Sequence, residues 1–330
     1  MSGPGPTRVP WQAKFASLAL IWGASFLFMK FALRWFEPLQ IATGRIILGA
    51  VTVLVLLRLS GGRLPRGRRV WVHMLVVAVF LASLPFLLFP LGEERVSSAL
   101  AGIGNAITPI ATVLATGAMV PTERLPGRKV VAVVAGFVGV VIIAQPWAQA
   151  GRPDLVGFGI TLVAGASYGL GWTWVRKYLA RAYLGCLAFP AALLTTAAAQ
   201  MMAVVTLWWL PRRDVLRAPW SPRVDAVGGL GPPLAALLAL GIAGTGLAYL
   251  FQFDVFRAVG QQIGSLVTYL IPIVSVALGY LVLGERLGVW QLVGATVVLG
   301  AAVAIGRQRA AGRPARRGLR ARSPAGTSTS

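Results

Sequence analysis

Acidic residues, cysteine and histidine are the scarce components of this 330-residue chain: nine Asp and Glu together, one Cys and one His. The single cysteine, Cys186, excludes an intramolecular disulfide or a cysteine metal cluster, and the single histidine, His73, excludes a multi-histidine site. Charged residues reach only 12%, against 57% hydrophobic, whereas soluble domains carry roughly 25% charged residues. So few charges do not cover a globular surface, which excludes a soluble protein, and so much apolar content excludes disorder. The composition is that of an integral membrane protein. Residues 1–14 are short, polar and rich in Gly and Pro without a cleavage pattern, so they are expected to be a cytoplasmic segment and not a removable signal.

Runs of about 20 apolar residues predict ten membrane helices. They fall near 15–33, 39–57, 70–91, 97–119, 130–148, 155–175, 184–210, 232–253, 261–283 and 289–306. Lys and Arg number 31, for a formal net charge of +22. They crowd into alternate gaps between the apolar runs, which is the positive-inside bias of a polytopic protein; no nucleic-acid partner is expected. With the N-terminus inside, 21 fall on the inner side and eight outside, while Lys30 and Arg45 fall within spans. Both termini are thus expected in the cytoplasm. The exception is the 211–228 loop, with four Arg on the outer side. The tail, 307–330, is Arg-rich and reads as disordered, a basic segment suited to anionic lipid.

The two halves of the chain resemble each other. Trp22-Gly23 followed by Lys30 recurs as Tyr168-Gly169 followed by Arg176, an offset of 146; later, Arg95 maps to Arg257 and Glu123-Arg124-Leu125 to Glu285-Arg286-Leu287, an offset of 162. In the same register Ser98, Gly102 and Ala106 map to Gly260, Gly264 and Thr268, each set a small-residue stripe that permits close helix approach. Five helices per half is an odd number, so the second half enters the membrane from the opposite side. The expected fold is an all-α membrane protein, with ten helices in two inverted five-helix repeats, 15–148 and 155–306, around a central cavity. Secondary transporters are typically built this way, with the substrate site near the midplane.

Ile21-Trp22-Gly23-Ala24-Ser25-Phe26, Lys30, Pro38 and Arg45 resemble the opening of an EamA-type domain of the drug/metabolite transporter superfamily. Pro109 with Glu123, and Pro272 with Gly284-Glu285-Arg286-Leu287, Gly294 and Gly300, resemble its close. The resemblance covers about residues 15–306. It departs where Pro121-Thr122 stands in place of Leu283-Gly284, and where the prolines lie 14 and 13 residues before their Glu. It implies a ten-helix bacterial inner-membrane exporter of small metabolites or drugs.

Candidate site residues follow from polar or aromatic character inside the spans. Pro109 and Pro272 deprive the Asn105 and Thr268 carbonyls of their helical partners, so each reads as a kink or hinge. Trp22, Asn105, Tyr168, Trp172, Tyr249 and Tyr269 lie mid-span, away from the interfaces where Trp and Tyr anchor, and are the expected substrate cavity. Lys30, Arg45, Glu123 and Glu285 are expected to be structural charges: Lys30 an interfacial anchor, Arg45 snorkelling outward or paired with Glu37, the two Glu in local pairing and loop capping. All nine acids are placed in loops or at span edges, which favours neutral, zwitterionic or weakly anionic cargo. A membrane-embedded enzyme would need a convergent nucleophile, carboxylate pair or metal set, and none is evident; a lipid-binding scaffold or sensor acting through its basic tail is the other alternative. The cargo is expected to be a small molecule, without any cofactor. Oligomeric state is not legible.

Overall fold

The computed structural model describes residues 10–120, 127–145, 153–180, 182, 187–216, 218–264 and 267–311. Among them the chain is helical, with no strand. Its helices are α1 (Trp11–Ala32), α2 (Pro38–Leu59), α3 (Arg68–Ala78), α4 (Leu84–Glu93), α5 (Ser98–Asn105), α6 (Thr108–Met119) and α7 (Gly127–Ala144). There follow α8 (Leu155–Trp174), α9 (Ala188–Trp209), α10 (Gly231–Leu238), α11 (Ala248–Gly264), α12 (Val267–Leu283) and α13 (Val289–Ala311). Their starts are set by local chemistry. Glu37 and Gln40 form a capping box before α2, with Pro38 in its first turn. Ser97 caps α5 through the Leu100 amide, and Asp154 caps α8 through the Gly157 amide at 2.6 Å.

Seven stretches are long and apolar enough to cross a membrane: Trp11–Ala32, Pro38–Leu59, Arg68–Glu93, Ser98–Met119, Leu155–Leu179, Ala188–Arg212 and Gly231–Val259. This makes a multi-pass membrane protein. Three shorter apolar helices accompany them, Val130–Ala144, Val267–Leu283 and Val289–Ala301. The outward faces are apolar, with Val131, Val134 and Phe137 of α7 and Leu281 of α12 at least half exposed, as lipid contact requires. The boundaries correct the sequence reading at two places. Asp254 and Arg257, expected between spans, lie inside α11, because residues near a span end reach polar surroundings with the helix intact. Residues 307–311, assigned to the disordered tail, continue α13. Glu123, Cys186 and the tail beyond 311 lie outside the described residues.

Of three π turns among the described residues, Val79–Ser83 joins α3 to α4 and Ala239–Leu247 joins α10 to α11, while Val175–Leu179 follows α8. Moved on by 162 residues, the first falls inside the second. Helix contacts show the same correspondence. α1 packs on α12 and α6 on α8; α2 packs on the 239–247 turn and α3 on α9; α7 pairs with α13. Small residues allow the closest approaches. A methyl group at Gly23 would stand 2.4 Å from Val274 Cβ, and one at Gly169 would stand 2.6 Å from the Thr112 amide. At Gly102 it would meet Ser275 Oγ at 1.9 Å.

One end of the bundle, opposite the termini, is tied across by polar contacts. Glu285, just after α12, accepts hydrogen bonds from the Ser98 amide (2.9 Å), the Ser98 hydroxyl (2.9 Å) and the Ala99 amide (3.0 Å). Its carboxylate thus caps α5, where unsatisfied N–H groups and the helix dipole favour an anion. The capping role is as expected, but the capped residues lie 187 positions away in sequence and are not local. The 218–228 segment is strapped over the same end. Arg223 and Val227 amides donate to the Trp35 and Arg34 carbonyls, both at 3.0 Å, and Gln40 donates to Pro219 and Ser221 carbonyls. The Arg223 guanidinium reaches Leu33 O and Glu94, each at 3.1 Å. Its hydrogen bond to Asp225 holds that carboxyl below its ordinary pKa. Lys30 donates to the Glu93 carbonyl beneath.

Glu285→Ala leaves the Ser98 and Ala99 amides without their acceptor and should lower stability by about 1–3 kcal/mol, read as a lower Tm of the detergent-solubilised protein. Gly102→Val should lower Tm in the same assay through overpacking of about 1–3 kcal/mol. Gly159→Ala, with no atom within 4 Å of the added methyl, should leave it unchanged.

Candidate substrate cavity

The helices that meet at the middle of the bundle leave a cavity between them. Its wall takes Trp22, Ser25, Phe26 and Met29 from α1, Arg45 from α2, and Leu81, Phe86 and Phe89 from the first π turn and α4. Asn105 and Thr108 come from α5 and α6, Tyr168 and Trp172 from α8, Gly244, Tyr249 and Gln252 from the second π turn and α11, and Thr268 and Ile271 from α12. The empty space amounts to about 820 Å³, with the open solvent at its mouth included.

The irregular backbone lies on this wall. In the 239–247 turn the Gly244 carbonyl accepts the Trp22 indole N–H at 3.2 Å. The Thr245 hydroxyl donates to the Leu240 carbonyl, five residues back, and accepts from Arg45 Nε at 2.9 Å. Pro109 sits in the first turn of α6, after an interruption at Ala106–Ile107. The Asn105 carbonyl it would leave bare accepts the Thr108 hydroxyl at 2.8 Å. Pro272 differs: α12 runs through it unbroken, with Ser275 Oγ bonded to the Pro272 carbonyl. Aromatic stacking fixes the remaining surface, Phe89 on Tyr168 at 6.3 Å and Trp172 on Phe189 at 6.2 Å between ring centres.

Trp22, Asn105, Tyr168, Trp172 and Tyr249 are thus brought together, from four helices. Tyr269 is not among the lining residues; its neighbour Thr268 takes that place. Arg45 is a correction. It neither snorkels nor pairs with Glu37, but is 6% exposed, with its guanidinium carbon 4.0 Å from the centre of the Phe86 ring. The signal for it was its position well inside a span, where a charge is costly and usually functional. Glu93 ends the Arg68–Glu93 span, at the span edge as expected, yet it is 0% exposed with neither carboxyl oxygen hydrogen-bonded. No carboxylate lines the cavity among the described residues.

A second hollow lies at the termini end, bordered by Leu57, Arg63, Leu187, Phe253 and Asp254, and there Lys14 pairs with Asp254. Among the described residues no three His, Cys, Asp or Glu gather where they could hold a metal ion.

Comparison with known proteins agrees with this architecture. The model of the EamA-like transporter family matches residues 11–145 and again 155–307. An uncharacterized transporter of Archaeoglobus fulgidus is 25% identical over 295 residues, 86% of this chain and 95% of that protein. Protein PecM of Dickeya dadantii is 25% identical over 279 residues, 84% of this chain and 86% of its own. The uncharacterized transporter YvbV of Bacillus subtilis is 23% identical, over 86% and 87% of the two chains. One solved crystal structure shares the fold at a TM-score of 0.59 and 18% identity, covering 91% of this chain and 98% of its own. Two matches of one family model, spanning nearly the whole membrane region, place this chain in the EamA-like transporter family as a multi-pass membrane transporter.

Proposed function

We propose that this protein is a secondary transporter that exports small metabolites or drug-like solutes across the cytoplasmic membrane by alternating access. The observation that carries the reading is the cavity, walled by α1, α5 and α6 from one half and by α8, α11 and α12 from the other. The helices form two inverted five-helix repeats, 15–148 and 155–306, with the three shorter apolar helices also crossing. The paired helix contacts, the π turns 162 residues apart and the double family match support that division. Exchange of the halves then turns α1 on α12 into α8 on α6, and α2 on the 239–247 turn into α9 on α3.

The substrate cavity is Trp22, Asn105, Tyr168, Trp172 and Tyr249, with Pro109 and Pro272 as hinge positions. In this conformation the Glu285 cap and the 218–228 strap close the end away from the termini. On this reading the cavity is reached from the termini end, where the second hollow lies. Charge counting puts that end in the cytoplasm, so the conformation is the inward-facing one.

Two outcomes test the reading. Reporter fusions at residue 330 and at residue 1 should both be active only on the cytoplasmic side; a C-terminal reporter active outside would overturn the orientation. In a metabolite-export assay, Trp22→Ala or Trp172→Ala should cut efflux about tenfold or more, the effect of losing a substrate-contacting anchor. Trp208→Ala and Trp209→Ala, at a helix end, should leave efflux within about twofold. Equal losses at all four would argue against the cavity as the substrate site.

A further inference from the structure

Taking the cavity as the substrate site, we propose that it selects organic monoanions with an aromatic body, and that the Arg45 guanidinium receives the anion's oxygens. Arg45 is buried in the span of α2 and lines the cavity. Its Nε is used by Thr245. Both terminal nitrogens have no hydrogen-bond partner among the described residues, and Phe86 covers one face of the guanidinium plane. A guanidinium taken out of water without a counter-ion costs several kcal/mol. Glu93, in electrostatic reach of Arg45, makes no hydrogen bond to it and lies outside the cavity wall. The missing anion is therefore supplied by the cargo, and the planar fork of Arg fits a carboxylate with two parallel hydrogen bonds.

The rest of the wall points the same way. The Tyr168 and Tyr249 hydroxyls and the Asn105 side-chain amide also have no hydrogen-bond partner among the described residues, and all three come from helices other than α2. Each can donate to an anion's oxygen. With one guanidinium and no second cation on the wall, the balance is met by a single negative charge. Trp22, Trp172 and Phe89 supply flat apolar surface for the body. Gln252 Oε1 is buried without a partner; it accepts one N–H or O–H on the cargo. The cargo class is an aromatic monocarboxylate that carries a ring N–H or a hydroxyl.

Three near-isosteric probes separate this from a site that merely takes flat molecules: indole-3-carboxylate, indole-3-carboxamide and indole-3-methylamine. Binding to the full chain in nanodiscs is read by calorimetry and by the shift in Tm. The carboxylate should bind at least about tenfold tighter than the amide, and the cationic amine should not bind. Arg45→Gln should remove the preference, so that the acid binds no more tightly than the amide, while Arg45→Lys should retain part of it. Thr245→Val, which keeps the charge but frees Nε, guards against a folding defect in Arg45→Gln: a preserved Tm with a weakened carboxylate preference agrees with the proposal. Equal binding of acid and amide, retention of the preference in Arg45→Gln, or no binding of any probe overturns it. Counterflow in proteoliposomes distinguishes the two readings. If neutral indoles exchange as well as the acid, the anion site fails and transport stands. If the acid binds tightly but never exchanges, the transport reading fails and the site stands.

Discussion

Inside hydrocarbon, a peptide carbonyl without an N–H partner cannot turn to water, so irregular backbone is tolerated only where protein or a wet cavity meets its needs. That constraint organises this bundle. The departures of α5–α6 and of α10–α11 from a regular ladder come to the cavity, and there each freed group is met: the Asn105 carbonyl by Thr108, the Gly244 carbonyl by Trp22, the Thr245 hydroxyl by Arg45 and Leu240. Elsewhere the helices are close-packed through glycine, with Gly23, Gly102 and Gly169 seated against Val274, Ser275 and Thr112. The cavity is thus held open by the same groups that give it its polarity, and the tight seams around it fix where those groups stand.

The two ends of the molecule differ in kind. Away from the termini, charge-assisted bonds join segments far apart in sequence: Glu285 to the start of α5, and Arg223 to Glu94 and the end of α1. At the termini end a hollow remains beside Lys14 and Asp254. Bonds of the first kind are geometrically demanding and can be replaced by water when the ends part. That suits contacts which hold one conformation of a transporter without locking it.

Much of this was legible in the sequence because hydrocarbon thickness sets a length scale and the repeat supplies a check. Trp22, Asn105, Tyr168, Trp172 and Tyr249 were found because Trp, Tyr and Asn are out of place in mid-span unless something polar faces them. Tyr269 met the same test and is not on the wall, since depth in the span says nothing of rotation about the helix axis. Arg45 was misread for a related reason. Snorkelling depends on which way the side chain points, and its partner Thr245 lies 200 residues away on a turn whose π geometry no local pattern announces. Glu285 likewise carries its anchor on the opposite half of the chain. Glu93 is buried beside α1, where Lys30 donates to its carbonyl, a tertiary contact that hydropathy does not register.

The central claim is that one cavity, sealed at the strapped end, is reached from the end that bears the termini. Ser25, on the cavity wall, is the position at which to ask. In a chain carrying Cys186→Ser and Ser25→Cys, a membrane-impermeant maleimide is applied to vesicles of each orientation. The account predicts labelling when the termini face the reagent, and protection when the strapped end does. Labelling from the strapped end alone, or from neither side, would contradict it.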